Sequence, residues 1–229
     1  SRLVEPHNSC EIADHIIQIG TQKTVDTYPK HLQSKINLIR QSSFEFLSHD
    51  ISNKDWEKAK TRFLWFGGKG AILKGLDLLL DVFCKRLDLE LYVCGIVEKD
   101  FEEVFWSELH DTPNIHYLGW VSVDSPIVQH LAETCGFVIL PSVSEGCPGS
   151  VINMMRLGLI PITSSIASGV GGSGYILSDL SVAGILDVLD DISLRDANDL
   201  AQRAIDSQKY AEEEFTLASF QSSLQDILK

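Results

Sequence analysis

Residues 66–75 read Phe-Gly-Gly-Lys-Gly-Ala-Ile-Leu-Lys-Gly, which places two lysines five positions apart among glycines. Glycine lets a backbone approach a ligand closely, and two ammonium groups on one turn can clamp a diphosphate from both sides. Gly67, Gly68, Lys69 and Lys74 are therefore candidate anion ligands. The plainer alternative is a flexible glycine turn bearing two solvated lysines. The stretch is not a P-loop, because the G-x-x-x-x-G-K-[ST] spacing is absent.

A second stretch, Pro141-Ser142-Val143-Ser144-Glu145-Gly146-Cys147-Pro148-Gly149-Ser150-Val151-Ile152-Asn153, combines small residues with a proline ahead of an apolar run. That composition predicts a loop feeding straight into a helix. Unpaired amides at such a helix start, with the helix dipole behind them, form a local anion site that overall charge does not reveal. Glu145 beside it is an acceptor suited to sugar hydroxyls, or alternatively a surface carboxylate capping the helix.

Both stretches follow short apolar runs, and those runs recur. Phe63–Phe66, Leu89–Val93, Ile115–Leu118, Phe137–Leu140 and Ile160–Thr163 read as strands, the first four ending at or near Gly or Pro. Between them Ile72, Leu76, Leu79, Leu80 and Phe83 follow helical spacing, and further helices are expected around 101–109, 127–133 and 150–157. Repeated βα units predict an α/β fold, a Rossmann-like doubly wound parallel sheet whose ligands sit beyond the carboxyl ends of its strands.

Flanks stand outside this block. Ile16–Ile19 is a candidate strand, and the polar stretch Ser48–Lys54 resembles a linker. Behind the block, helices are expected near 194–204 and 217–228, the latter with the apolar stripe Leu217, Phe220, Leu224 and Leu228, which needs a partner surface. Asp190-Asp191 reads as a solvated approach to a helix starting near Ser193, a candidate N-cap.

Composition narrows the function. A formal net charge of -13 over 229 residues argues against a basic face for nucleic acid. The five cysteines, at positions 10, 84, 94, 135 and 147, show no C-x-x-C pair, which argues against a disulfide framework or zinc site and suggests a reduced, cytoplasmic setting. No apolar run reaches the roughly 20 residues of a membrane helix, and no basic-then-apolar leader opens the sequence; membrane contact is expected to be peripheral at most. The seven histidines are dispersed and no H-E-x-x-H or D-x-D pattern occurs, so no metal site is expected. The cluster Gly169-Val170-Gly171-Gly172-Ser173-Gly174 has a formal G-x-G-x-x-G, but Ser164–Ser168 separate it from the preceding strand, which favours a mobile loop over a dinucleotide fingerprint.

The stretch Glu145-Gly146-Cys147-Pro148 through Met155, then Gly158 and Pro161, resembles the E-G-x-P-x-x-x-x-E-A-M-x-x-G-x-P signature of the glycosyltransferase family 4 type, group 1, of GT-B fold. Lys69 and Lys74-Gly75 fall where that family has G-R-x-x-x-x-K-G, with lysine replacing arginine, and Gly95 and Ile115-His116-Tyr117-Leu118-Gly119-Trp120-Val121 match in order and spacing. The likeness spans roughly 63–165. More weakly, Ala13–Ile17 resembles the final strand region of the acceptor lobe, and the closing helix resembles one that crosses back to it. The resemblance implies residues 1–54 as the end of the N-terminal acceptor lobe and linker, 55–210 as the C-terminal donor-binding domain, and 211–229 as the crossover helix, with most of the other lobe missing.

By that resemblance Lys69 and Lys74 hold the diphosphate, Glu145 and the amides of Gly146, Cys147, Gly149 and Ser150 around Pro148 hold the sugar, and the loop at Val121 lies beside the base. Asn153 stands where the family has a second glutamate that binds ribose, a neutral pairing weaker by about 1 kcal/mol per lost charged hydrogen bond. Lysine for arginine at 69 keeps the charge but loses the bidentate fork. The expected activity is metal-independent transfer from a nucleotide-diphosphate sugar, without a further cofactor, to a saccharide or lipid-linked acceptor in polysaccharide or glycan biosynthesis. Lys69, Lys74 and the helix start after Glu145 would stabilise the departing diphosphate. The acceptor would be held mainly by the other lobe, so this portion alone is expected to bind nucleotide and transfer little sugar. The alternatives are a non-catalytic nucleotide-sugar-binding or scaffolding subunit and a nicotinamide-dependent oxidoreductase using the glycine cluster.

Overall fold

A computed structural model describes residues 7–46, 49–167 and 172–228. In chain order the elements are α1 (His7–Ile12), β1 (Ile16–Ile19), α2 (Gln22–Val25), α3 (Lys30–Gln33), β2 (Ile36–Ile39), α4 (Trp56–Ala59), β3 (Arg62–Gly67), α5 (Leu76–Lys85), β4 (Glu90–Gly95), α6 (Lys99–Val104) and α7 (Trp106–His110). Then come β5 (Ile115–Gly119), α8 (Pro126–Thr134), β6 (Phe137–Leu140), α9 (Gly149–Arg156), β7 (Ile160–Ser164), β8 (Tyr175–Leu177), α10 (Val182–Ser193), α11 (Ala197–Glu214) and α12 (Leu217–Ile227).

Six strands form one parallel sheet in the order β5-β4-β3-β6-β7-β8. The chain starts at β3, builds outward through β4 to β5, then returns to the other side of β3 and continues from β6 to β8. Right-handed crossovers send the helices of the two halves to opposite faces, so the loops after β3 and β6 part and leave a crevice at their carboxyl ends. The sheet is thus the expected doubly wound Rossmann-like arrangement.

Continuous apolar strands make the sheet core, as burial on both faces requires. Phe63, Trp65, Phe83 and Phe137 are fully buried. Phe63 stacks on Phe137 with ring centroids 5.0 Å apart and meets Phe83 edge-on at 5.5 Å. Burial of each such ring stabilises by roughly 2–3 kcal/mol. Helix α5 contacts α7 and α10, while α11 contacts α4 and α9.

Several elements differ from the sequence expectation. The helix expected over 101–109 is two short ones broken at Phe105, whose ring stacks on Phe101 at 4.5 Å. Helix α5 begins only at Leu76, leaving Ile72 in the preceding turn and 62% exposed. Behind the block, α10 was not expected and the next helix starts later, at Ala197. Ser193 is the last residue of α10 rather than an N-cap, and Asp196 caps α11 by accepting the Asn198 amide at 2.8 Å. Asp190 and Asp191 lie in the last turn of α10, where the dipole disfavours anions; Arg86 and Arg195 pair with them and offset that cost. Strands β2 and β8 were also unforeseen. Asn37 interrupts the apolar run of β2, and β8 has only three residues.

The front flank forms a separate two-stranded parallel sheet of β1 and β2. Ser48 lies outside the described residues; in the rest of the linker-like stretch Asp50, Ser52 and Asn53 are exposed, but Ile51 is buried and Lys54 Nζ donates to the carbonyls of Cys135 and Gly158 at 3.1 Å each. Burial lowers the Lys54 pKa to about 8. Helix α12 lies against β2 and Arg40 pairs with Glu214. No residue of α12 is buried: Phe220 and Leu224 are half-buried and Leu217 and Leu228 stay exposed. No described helix is long and apolar enough to cross a membrane.

Candidate functional site

The crevice between the loops after β3 and β6 brings the two chemistry-bearing stretches together. Helix α5 opens at Gly75, whose φ of +67° lies in the left-handed region. A Cβ there would stand 2.5 Å from the Pro141 carbonyl oxygen, so only glycine admits both the backbone conformation and the close approach of the loops. Across that contact the Leu73 carbonyl accepts from the Val143 amide at 2.9 Å and from Ser142 Oγ at 3.0 Å. Trp65, from β3, donates its indole N–H to the Lys74 carbonyl at 3.3 Å.

These contacts carry Lys74 to Glu145. The two side chains form an ion pair, each about one-fifth exposed (20% and 19%). Glu145 therefore does not cap the next helix: the N-cap position of α9 is Pro148, and no side chain caps it. The first internal bonds of α9 are those of Val151 and Ile152 to the Pro148 carbonyl, at 3.1 and 3.2 Å. That leaves the earlier amides, Gly149 and Ser150, at the positive end of the helix dipole.

Other expected residues are distributed differently. Gly67 is the last residue of β3, and Gly68 and Lys69 follow it on the surface. Lys69 makes no hydrogen bond or ion pair among the described residues. Val121 is buried (8% exposed) just beyond edge strand β5, two strands from β3 and so about 10 Å across the sheet. Asn153, on α9, accepts the Phe44 amide on its Oδ1 at 2.8 Å, which ties α9 to the segment leaving β2. Cys147 is anchored alongside: its carbonyl accepts from Gln41 Nε2 at 2.7 Å, and burial pushes its thiol up to about 11, so it is uncharged at neutral pH.

The front flank reaches the same crevice. A Cβ on Gly146 would stand 2.6 Å from the Ile19 carbonyl oxygen, which seats the end of β1 directly on the loop that carries Glu145. A cleft of about 470 Å3 opens there, lined by Gln18, Lys23, Thr24, Val143, Glu145 and Gly146 among others. Lys23 Nζ bonds the Ser165 carbonyl at 3.2 Å across it.

Glu98, which we did not single out from sequence, also belongs to this site. It lies in the loop after β4, and its Oε1 and Oε2 accept the amides of Gly70 and Ala71 at 2.5 and 3.2 Å. Burial alone would raise its carboxyl pKa, but these amides and the charge of Lys69 hold it below the ordinary value. Its place just past the carboxyl end of a strand is the signal that could have found it.

Of the glycine cluster, Gly169, Val170 and Gly171 lie outside the described residues; Ser173 and Gly174 lead into strand β8, where a dinucleotide fingerprint needs a helix. No three His, Cys, Asp or Glu side chains converge among the described residues as metal ligands.

Comparison with known proteins bears on the family and the fold. Residues 60–193, more than half of the chain, match the family model described as glycosyl transferases group 1. No curated protein matches the chain by sequence. Among solved structures, HepE from Anabaena, in complex with UDP and glucose, superposes with a TM-score of 0.77 at 14% identity, over 97% of this chain and 65% of that one. TarM gives 0.71 at 15% identity over 96% and 44%, and WaaG, a glycosyltransferase involved in lipopolysaccharide biosynthesis, gives 0.68 at 14% over 92% and 62%. At such identities the likeness concerns the fold, that of a GT-B Rossmann-like lobe, and this chain spans between 44% and 65% of the length of those proteins. The sequence match supplies what the fold alone cannot: the chain belongs to the glycosyl transferases group 1 family.

Proposed function

We propose that the chain is the donor-binding portion of a hexosyl or glycosyl transferase that takes a sugar from a nucleotide-diphosphate donor for glycan or polysaccharide synthesis. The observation carrying this reading is the meeting of Lys74 with Glu145 at the switch point of the sheet, beside an uncapped helix start. Breaking the anomeric bond leaves positive charge on the sugar and negative charge on the diphosphate. Lys74, Lys69 and the amides opening α9 supply positive potential on the leaving-group side, while Glu145 accepts from sugar hydroxyls. The base is assigned to the end of β5 at Val121, and residues 1–54 to the end of an acceptor-binding lobe, with the acceptor a saccharide or a lipid-linked sugar. The crevice acts without a further cofactor, and a cytoplasmic location, peripheral on a membrane at most, suits a donor of this kind.

Lys74→Ala tests the assignment. Calorimetric titration should show nucleoside diphosphate affinity falling about tenfold or more, near 1.4 kcal/mol, with the free nucleoside nearly unaffected. Equal effects on both ligands would remove the phosphate role from Lys74.

One observation favours a second reading, a subunit that binds a nucleotide sugar or scaffolds a partner without transferring. The only side-chain oxygen of Asn153 is already engaged by the Phe44 amide, where the family's glutamate offers a charged acceptor. Donor binding without turnover on any saccharide acceptor by the full-length protein would support it.

A further inference from the structure

The turn joining β3 to α5 is held very unevenly. Its far end is fixed by Trp65 on the Lys74 carbonyl, by Ser142 and Val143 on the Leu73 carbonyl, and by the Lys74–Glu145 pair. Its near end carries Lys69; there the Gly70 and Ala71 carbonyls accept the Lys74 and Leu76 amides at 2.9 and 3.0 Å, while the Gly70 and Ala71 amides go to Glu98. No atom lies within 4 Å of where a Cβ on Gly68 would stand, and Lys69 is exposed. Nothing else among the described residues holds positions 68 and 69 in place. A Gly-Gly-Lys-Gly segment has wide conformational freedom to lose, so the position of the Lys69 ammonium depends on where residue 70 is pinned. Glu98 occupies the N-cap position of α6, yet its side chain does not cap that helix; it is turned to the neighbouring loop.

We propose that Glu98 is a positioning residue for the nucleotide donor: by binding the Gly70 and Ala71 amides it aims Lys69 at the diphosphate. This rests on the donor-site reading above. Glu98 also repels an arriving phosphate, so its positioning effect is best measured where that repulsion is damped, at about 0.5 M salt, where the Debye length is about 4 Å.

The experiment titrates UDP and inorganic pyrophosphate into wild type, Glu98→Ala, Glu98→Gln, Lys69→Ala and the Glu98→Ala/Lys69→Ala double variant under those conditions. Glu98→Ala should weaken both ligands about fivefold or more, and Glu98→Gln less, because it keeps one acceptor oxygen. The double variant should bind no more weakly than Lys69→Ala alone, since both substitutions remove the same contact. Glu98→Gln, matched in size, serves if the alanine variant does not fold. Unchanged or tighter binding on loss of Glu98, a silent Lys69→Ala, or losses that multiply in the double variant each overturn the proposal. A wild type that binds neither UDP nor pyrophosphate overturns the donor-site reading with it; normal wild-type binding with silent Glu98 variants overturns this assignment alone.

Discussion

Glu145→Gln is the substitution whose sign the geometry decides. The Lys74 ammonium is neutralised by Glu145, with both side chains about one-fifth exposed (20% and 19%). At a contact distance of roughly 3 Å and an effective dielectric near 20, such a pair attracts by about 5 kcal/mol. A diphosphate arriving at Lys74 must divide that attraction with Glu145 and bear its repulsion. Glutamine keeps the shape and one acceptor oxygen while removing the charge. If about a quarter of the pair's attraction passes to the incoming phosphate, affinity rises by about 1.4 kcal/mol, a factor of roughly ten. Isothermal titration with UDP should therefore show tighter binding by Glu145→Gln than by wild type, with uridine unchanged and the gain shrinking between about 0.05 and 0.5 M salt. A nucleotide sugar should respond in the opposite sense, because its hydroxyls lose a charged acceptor worth about 1 kcal/mol or more per bond. Unchanged or weaker UDP binding by Glu145→Gln would refute the claim that Lys74 is the phosphate cation and Glu145 its competitor.

Further outcomes follow from the same contacts. Gly75→Ala combines a left-handed backbone with a 2.5 Å approach to the Pro141 carbonyl, so it should destabilise by about 2–4 kcal/mol and weaken diphosphate binding, measurable by chemical denaturation and titration; a stable variant with normal binding would show that the two loops need not touch. Lys54→Ala leaves the Cys135 and Gly158 carbonyls without their donor and should cost about 1–3 kcal/mol, whereas a gain in stability would mean that relief of the buried charge dominates. Burial raises the thiols of Cys94 and Cys135 from the ordinary 9 to about 12, so the unfolded chain loses those protons first. The stability tied to them is complete below pH 9 and falls as pH rises towards 12, by up to about 1.4 kcal/mol per pH unit for each thiol. Lys54, lowered from 10.5 to about 8, acts in the opposite direction between those values, since there the unfolded chain holds the extra proton. Denaturation midpoints under reducing conditions should drop between pH 9 and 10.5, and the drop should be shallower in Cys135→Ala; a rise would mean that Lys54 outweighs the thiols.

The sequence by itself determined the parts whose physics is local. Five strands of the main sheet were visible because mostly apolar runs recur, four of them closed by Gly or Pro, and Lys69, Lys74 and Glu145 stood out because each follows such a run. The position of α10 was obscured by Asp190-Asp191, which read as solvent until Arg86, from another βα unit, supplied a partner. Strand β2 carries Asn37 within its apolar run, and β8 has only three residues. Tertiary structure alone decided how the candidate residues are combined. The reversal of strand order between β3 and β6 set loops 71 residues apart against each other and joined Lys74 to Glu145. It brought Glu98 onto the glycine loop and engaged Asn153 with Phe44. Spacing along a chain reports which groups share one turn or one strand end; which loops meet depends on sheet order, and that is settled by packing between distant segments.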